Sequence, residues 1–340
     1  MDGQGGGFGR GGGEAARSDD ELVGEACAGT VAPMATGKVD IVFVIDHSAS
    51  MREEMVQVRA NVNRFAERMA DAGLDYRVVF IVPKETNPRF DGICVPPPLG
   101  RGDCGDNPPR FFHLDQEVGS WNALELILST YDGASSKRTW KEHARADATK
   151  VFVIVSDDES RMMAQDFDRS IRAKLPEGMF GTSSTRNYVV HGIVSKPSGA
   201  KAPTSATCAT AAGTSIEYQR LALLTGGLIE EVCQTDYSTV LDALAQGIAN
   251  KVSCELTYPK SATADPTRLF VRLTPDRGAT ATLTQVTDVS KCDSVEDGWY
   301  YDDPTAPSKI ILCASACSAA NETSGSKVEA IVGCKAPAPR

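Results

Sequence analysis

The chain has 340 residues, with Lys plus Arg at 35 against Asp plus Glu at 45, a formal charge of −10 and an apolar fraction of 41%. That length accommodates one large α/β domain and a smaller partner, each with its own core. The acidic balance argues against nucleic acid as the main partner, and no apolar run approaches the length that crosses a bilayer, which predicts no transmembrane span.

Residues 1–37 are Gly-rich and then acidic, and predict a flexible segment apart from whatever Cys27 anchors. Met1 to Gly13 has no apolar stretch and does not read as a signal peptide. It reads as a glycine linker of the kind that follows the acylated cysteine of bacterial lipoproteins, which predicts a start placed too far downstream and a lipid anchor lost with it.

From Lys38 onward two periodicities alternate. Lys38 to Ile45 is rich in β-branched residues and too short for a helix of typical length, so it predicts a buried central strand. Met51, Met55, Val58, Val62, Phe65 and Met69 then recur at three or four residues, an amphipathic helix that Gly73 ends. Tyr76 to Val82 is a second strand, and the long Pro-rich stretch to Pro109 has the character of a functional loop or lid. Gly119-Ser120 leads into a helix over Trp121 to Tyr131, and a further helix is expected before Lys150. Lys150 to Val155 is a third strand, followed by Ser156-Asp157-Asp158-Glu159. Arg186 to Val194 and Gly227 to Val232 are strands separated by a helix over Ser215 to Leu224, and Asp236 to Val252 is the last helix. This alternation predicts an α/β domain over 38–253 with a doubly wound, mostly parallel, Rossmann-like sheet. Short strand candidates separated by Pro, Gly and Asp turns then predict a small, cysteine-rich all-β unit over 254–334 and a tail over 335–340.

Ten cysteines in loops and at strand edges, with no Cys-x-x-Cys pair, favour an oxidising compartment over a cytosolic protein with free thiols. Cys94 and Cys104 flank a loop with no regular structure of its own and are expected to be bridged. A Cys208–Cys233 bridge would pin a Ser/Thr/Ala loop to the sheet. The partners of Cys27, Cys254, Cys292, Cys313, Cys317 and Cys334 stay open; with no His nearby, Cys313-x3-Cys317 reads as disulfide-forming rather than metal-binding.

The first strand ends in Asp46-x-Ser48-x-Ser50, one carboxylate and two hydroxyls at alternating positions. The carboxyl edge of an open parallel sheet is where ligands bind, and oxygen donors of this kind suit a hard cation, Mg2+, Mn2+ or Ca2+. A simpler role is available to each residue, since any of the three suits the N-cap of the helix beginning near Met51. Capping needs only one of them, however. His47 lies between the donors and reads as a rim residue.

The Asp46-x-Ser48-x-Ser50 spacing, with the order of elements over residues 38–253, resembles the metal-ion-dependent adhesion site of the von Willebrand factor type A (VWA) domain. The resemblance implies that Ser48 and Ser50 bind the cation directly while Asp46 acts partly through water. It places Asp157 on a further metal loop, with Asp158 where that family usually has glycine, and offers Ser120 in place of the usual threonine. Together with the cysteine-rich tail and the Cys94 to Gly100 loop, it is similar to predicted secreted and lipoprotein members of that family from myxobacteria. The function implied is a non-enzymatic, extracellular or cell-envelope module in which the cation captures an Asp or Glu carboxylate of a protein partner. Two alternatives stand beside it. One is an Mg2+-dependent phosphoryl-transfer hydrolase, against which Ser48 occupies the position where such enzymes set a second acid. The other is a structural envelope protein with a non-functional metal site.

Overall fold

In the computed structural model, residues 26–33, 38–85, 92–133, 138–182, 186–259, 264–275, 279–321 and 326–334 are described. The glycine-rich start, the 335–340 tail and the partners of Cys27 and Cys334 lie outside what is described.

After β1 (Ala26–Pro33), the apolar run becomes β2 (Lys38–Ile45), in which every residue after Lys38 is buried. The chain continues through α1 (Arg52–Asp71), β3 (Asp75–Val82), β4 (Phe111–Asp115) and α2 (Ala123–Tyr131). It then forms β5 (Thr149–Ser156), α3 (Ala164–Arg172), β6 (Tyr188–Val194), α4 (Ile216–Thr225), β7 (Ile229–Glu231) and α5 (Tyr237–Ser253). Strands β2 to β7 make one six-stranded sheet in the order β4-β3-β2-β5-β6-β7, parallel throughout. From β2 the chain winds outward through β3 and β4, then crosses to the other side of β2 for β5, β6 and β7. The winding therefore reverses between β2 and β5, and the crevice beyond their carboxyl ends is where such sheets take ligands.

Both faces of the sheet are covered, which is why β2 is apolar throughout rather than alternating. Val39, Ile41, Phe43 and Ile45 face one side and join the apolar stripes of α1 and α5. Val42 and Val44 face the other, with Leu124 and Ile127 of α2, Phe167 and Ile171 of α3, and Tyr218 and Leu221 of α4. Phe65 meets Phe43 edge-on with ring centroids 5.3 Å apart.

Two elements of this sheet region escape the sequence reading. β4 is five residues long and its apolar pattern is broken by His113, buried and hydrogen-bonded through Nε2 to the Val82 carbonyl at 3.0 Å. Burial pushes the His113 pKa down to about 4. In α3 the apolar positions Ala164, Phe167 and Ile171 are outnumbered by charged ones, and one of these, Asp168, is itself buried. It accepts hydrogen bonds from Arg186 Nε at 2.7 Å, Tyr188 at 2.6 Å and Arg172 Nη2 at 2.8 Å. The helix expected before Lys150 is only a short 3-10 turn, Lys141–His143.

The remaining strands are β8 (Glu255–Thr257), β9 (Ala264–Thr274), β10 (Ala281–Thr282), β11 (Thr284–Gln285), β12 (Gly298–Tyr301), β13 (Lys309–Leu312) and β14 (Lys327–Cys334), with α6 (Ala314–Asn321) before the last. They form two four-stranded sheets, β1-β14-β9-β10 and β11-β12-β13-β8, antiparallel except for the β11–β12 pair. Their core includes Val271, Trp299, Ile310, Ala316 and Val328. Two features differ from the all-β expectation. Ala26–Pro33, within the segment read as flexible, is a strand that pairs with β14, so the α/β unit is an insertion between β1 and the other strands of this smaller unit. The Ala-rich stretch Ala314 to Asn321 is helical, as alanine's lack of side-chain entropy cost favours.

Cys94–Cys104 and Cys208–Cys233 are bridged as expected, and the open set contributes Cys254–Cys317 and Cys292–Cys313. Lys309 joins the two units, its ammonium donating to Glu255 at 2.7 Å and to Asn187, just before β6, at 2.8 Å. No helix among the described residues is long and apolar enough to cross a membrane.

Candidate metal centre

The register pairs Ile45 with Val155, so Asp46 leaves β2 level with Ser156 at the end of β5. The Asp46 N–H donates to the Val155 carbonyl at 2.9 Å, which extends the ladder one step and fixes where the carboxylate emerges. Asp46 is fully buried, and each oxygen has a donor: the Ser48 N–H to Oδ1 at 2.8 Å and the Ser156 hydroxyl to Oδ2 at 3.0 Å. Burial raises its pKa above the ordinary carboxylate range, the charge of Asp157 adds to that rise, and the donors from Ser48 and Ser156 oppose it.

The two serine hydroxyls run towards solvent. Ser48 is half-buried and Ser50 exposed, with Oγ atoms 3.1 Å apart, and Ser50 Oγ donates to Asp157 Oδ1 at 3.2 Å. A chain of oxygens therefore links the loop after β2 to the loop after β5. Neither serine acts as a side-chain cap: Ser48 precedes the short 3-10 turn Ala49–Met51 and Met51 precedes α1, with no side-chain cap hydrogen bond at either. Of the three, only Asp46 accepts a backbone N–H at the start of this turn, that of Ser48.

Asp157 is held from a third direction. Its Oδ2 accepts the Ala212 N–H at 3.0 Å and its carbonyl accepts the Gly213 N–H at 3.0 Å. The loop supplying these amides is pinned by Cys208–Cys233. Gly213 approaches the neighbouring loop closely, and a Cβ there would lie 2.2 Å from Asp158 Oδ1 and oblige that side chain to move. Glu159 points away from the cluster, towards the start of α4, and accepts from Thr214 Oγ1 and from the N–H groups of Ile216 and Glu217 at 2.8–3.0 Å. The acidic run after β5 thus divides its work, with Asp157 at the site and Glu159 compensating unpaired helix N–H groups.

Of the residues singled out in the sequence, Asp46, Ser48, Ser50 and Asp157 come together. Ser120 lies alongside, but only its carbonyl takes part, 3.5 Å from Ser156 Oγ, and its hydroxyl makes no hydrogen bond among the described residues. Three further residues belong to the arrangement. Ser156 bridges Asp46 to the Ser120 loop. His47 ties the first loop to the second, its N–H donating to the Val118 carbonyl at 3.2 Å while the Val118 N–H donates to its Nδ1 at 3.3 Å. Glu54 of α1 is 5% exposed and its Oε2 has no hydrogen-bond partner among the described residues. Burial raises its pKa, Asp157 and Glu53 add to the rise, and Thr210 opposes it through a hydrogen bond. Glu54 falls one turn into the amphipathic helix, on the face that reads as core; its charge there was the available sign.

This donor set fits a hard divalent cation. Neighbouring ligands of an octahedral Mg2+ at its usual bond length stand about 2.9 Å apart, and those of a Ca2+ site somewhat further. The 3.1 and 3.2 Å separations along Ser48, Ser50 and Asp157 fall in that range, and all the donors are oxygens. Two other groupings, Glu85 with Cys94 and Cys104, and Cys208 with Glu231 and Cys233, contain soft ligand types within 4.8 Å, but their cysteines are in disulfides and offer no thiolate.

No protein-family model and no curated protein matches the chain. Among solved structures it is similar to proximal thread matrix protein 1 of the mussel byssus at 12% identity, covering 66% of this chain and 48% of that one with a TM-score of 0.32. It is also similar to the pilus adhesin SpaC of Lactobacillus rhamnosus GG at 12% identity, covering 88% of this chain and 39% of that one with a TM-score of 0.33. The chain thus spans about half the length of the mussel protein and less of the adhesin. Likenesses at this level carry no functional argument.

Proposed function

We propose that this chain is a VWA-type protein that works outside the cytosol, holds a divalent cation at Asp46, Ser48, Ser50 and Asp157, and uses it to capture an Asp or Glu carboxylate of a protein partner. The observation that carries this reading is the continuous run of oxygens from Ser48 through Ser50 to Asp157, which joins two loops at the point where the sheet reverses its winding. Mg2+ is the cation of first choice, with Mn2+ or Ca2+ as alternatives.

A bound cation would supply an electrophilic position open to an outside carboxylate. The chain's residues do the rest. Ser48 and Ser50 offer neutral oxygens, so the site keeps little negative charge of its own on the exposed side. Asp46, buried and held by the Ser48 amide and the Ser156 hydroxyl, orients that loop from behind. Asp157 supplies the opposite wall, fixed by Ala212. Ser48 stands where a phosphoryl-transfer enzyme would need a second acid and cannot exchange a proton near neutral pH, which supports binding without turnover. The four disulfides among the described residues suit an extracellular or envelope location, and the absence of a membrane-crossing helix among the same residues is compatible with it.

Calorimetric titration of the EDTA-treated protein with Mg2+ and Mn2+ is the test. Saturable binding that Asp46→Ala abolishes is expected; no binding, or binding unchanged in that variant, refutes the proposal. A phosphate ester turned over in the presence of Mg2+ would show that the site is catalytic instead.

A further inference from the structure

The second and third loops of the candidate site carry, side by side, a tryptophan and an arginine that the cluster itself does not use. Trp121 directly follows Ser120, whose carbonyl meets Ser156 Oγ, and Arg161 lies four residues beyond Asp157. The Arg161 N–H donates to the Trp121 carbonyl at 3.0 Å, and the Arg161 guanidinium carbon sits 3.4 Å from the centroid of the indole ring. The chain places an exposed cation on an exposed aromatic beside the candidate site. Trp121 is 43% exposed, whereas Trp140 and Trp299, the other two of the three tryptophans, are 1% exposed.

Stacking of this kind has a directional consequence. A guanidinium lying flat on a ring satisfies its π-face but leaves its N–H donors pointing outward in the ring plane, where they match the two oxygens of a carboxylate. Arg161 forms no ion pair among the described residues, so those donors are uncommitted. Charge across the molecule sharpens the point. A chain of net charge −10 repels an acidic partner at long range. Capture of such a partner therefore needs local positive charge beside the metal position.

We propose that Trp121 and Arg161 form a second recognition point next to the cation, and that the ligand is an exposed acidic segment of a protein with two carboxylates, one for the cation and one for the Arg161 guanidinium. This rests on the proposed cation site. Trp121 acts as a positioning residue, holding the guanidinium flat so that its forked donors face the arriving segment; the exposed indole edge adds apolar contact area against the peptide chain.

The test compares acetyl-Gly-Glu-Gly-Glu-Gly-amide with the two peptides in which one Glu is replaced by Gln, in 10 mM MgCl2, by calorimetry and by acrylamide quenching of the one exposed tryptophan. The wild-type protein is expected to prefer the two-carboxylate peptide by about fivefold, within the range of an exposed but pre-oriented ion pair. That peptide is also expected to shield Trp121 from quenching. Arg161→Gln should lose the preference while keeping Mg2+ binding and the affinity for the single-carboxylate peptides, and Arg161→Lys should keep only part of it. An undiminished preference in Arg161→Gln overturns the inference, as does tighter binding of an oligogalacturonate than of the peptide, which would make the ligand a uronic-acid polysaccharide. Loss of Mg2+ binding in the wild-type protein would instead remove the cation site on which the inference rests.

Discussion

Replacing Asp157 by Asn separates a cation site from a hydrogen-bonded polar cluster, because the two make opposite predictions for stability and for binding. Asp46 is level with Ser156 across the β2–β5 pair, so Asp157 stands one residue further along the neighbouring strand, with Cα atoms about 6 Å apart from sheet geometry. If the carboxylates are separated by about the same distance, two full charges repel by roughly 3 kcal/mol at an effective dielectric of 20, and by about 1–2 kcal/mol when water reaches the exposed Ser50 side. Asparagine keeps the shape: its carbonyl can accept the Ala212 N–H and its amide can donate to Ser50 Oγ. The weaker acceptor costs about 0.5–1 kcal/mol. Without metal, Asp157→Asn is therefore expected to be no less stable than the wild type, and more stable by up to about 1 kcal/mol, a rise in Tm of roughly 2–4 °C.

With metal the order reverses. For a millimolar site, 10 mM MgCl2 adds about 1.4 kcal/mol to the wild type, roughly 3–5 °C, and should leave the variant almost unmoved. Thermal unfolding of both proteins after EDTA treatment, with and without MgCl2, reads all four values. If Asp157→Asn melts lower than the wild type in EDTA, the carboxylate pair is not repelling, and if Mg2+ raises both proteins equally, the ion is not at this site.

Three more outcomes are expected. Cys208→Ser with Cys233→Ser frees the loop that carries the Ala212 amide, so Mg2+ affinity should fall about three- to tenfold by calorimetry while the far-ultraviolet circular dichroism stays native; an unchanged affinity would show that the staple does not support Asp157. Gly213→Ala, whose Cβ would meet Asp158 Oδ1 at 2.2 Å, should destabilise by about 1–3 kcal/mol in urea unfolding and weaken Mg2+ binding with it; a neutral result would mean that the loop yields freely. Burial alone raises the Asp168 pKa, but the Arg186, Tyr188 and Arg172 hydrogen bonds outweigh it and hold the carboxyl at about 2. A depressed carboxylate stabilises the fold above its unfolded value and loses that contribution as pH falls, so stability should drop by about 2 kcal/mol between pH 4 and pH 2, a slope that Asp168→Asn removes.

The polar core of the site was legible in the sequence because its logic is local. An apolar strand too short for a helix, ending in Asp46, Ser48 and Ser50, carries both the strand and its terminal donors in one dozen residues, and Val151 to Asp157 repeats the form. What was not legible depends on contacts between segments. β4 is stabilised by lying beside β3, with His113 buried against the Val82 carbonyl, and nothing in its five residues reports that neighbour. α3 is masked because its most buried charge, Asp168, is neutralised by Arg186 across a loop. β1 pairs with β14 some 300 residues away in sequence, the longest-range strand pairing among the described residues, and its Ala, Gly and Pro content carries weak strand preference by itself. The role of Ser156 was hidden for the same reason, as was the Val118 contact of His47, which the sequence placed only at the rim, whereas Glu54 did leave a sign, a charge on the buried face of α1.

The arrangement also explains how the four oxygen-bearing residues are brought together. Three segments far apart in sequence must converge for Asp46 and Asp157 to face one another, and two buried carboxylates would by themselves drive those segments apart. The chain counters this with separate fastenings. His47 locks the first loop to Val118, Ser156 ties Asp46 to the Ser120 segment, and the Cys208–Cys233 staple holds the Ala212 amide against Asp157. Each fastening sits behind the oxygens rather than among them. The Ser48 and Ser50 hydroxyls face outward and bond to one another and, from Ser50, to Asp157, while the Ser48 amide on Asp46 holds the loop behind them. A cluster built only to cap α1 would need none of this support; a site that must present oxygens at fixed spacing to an arriving ion needs all of it.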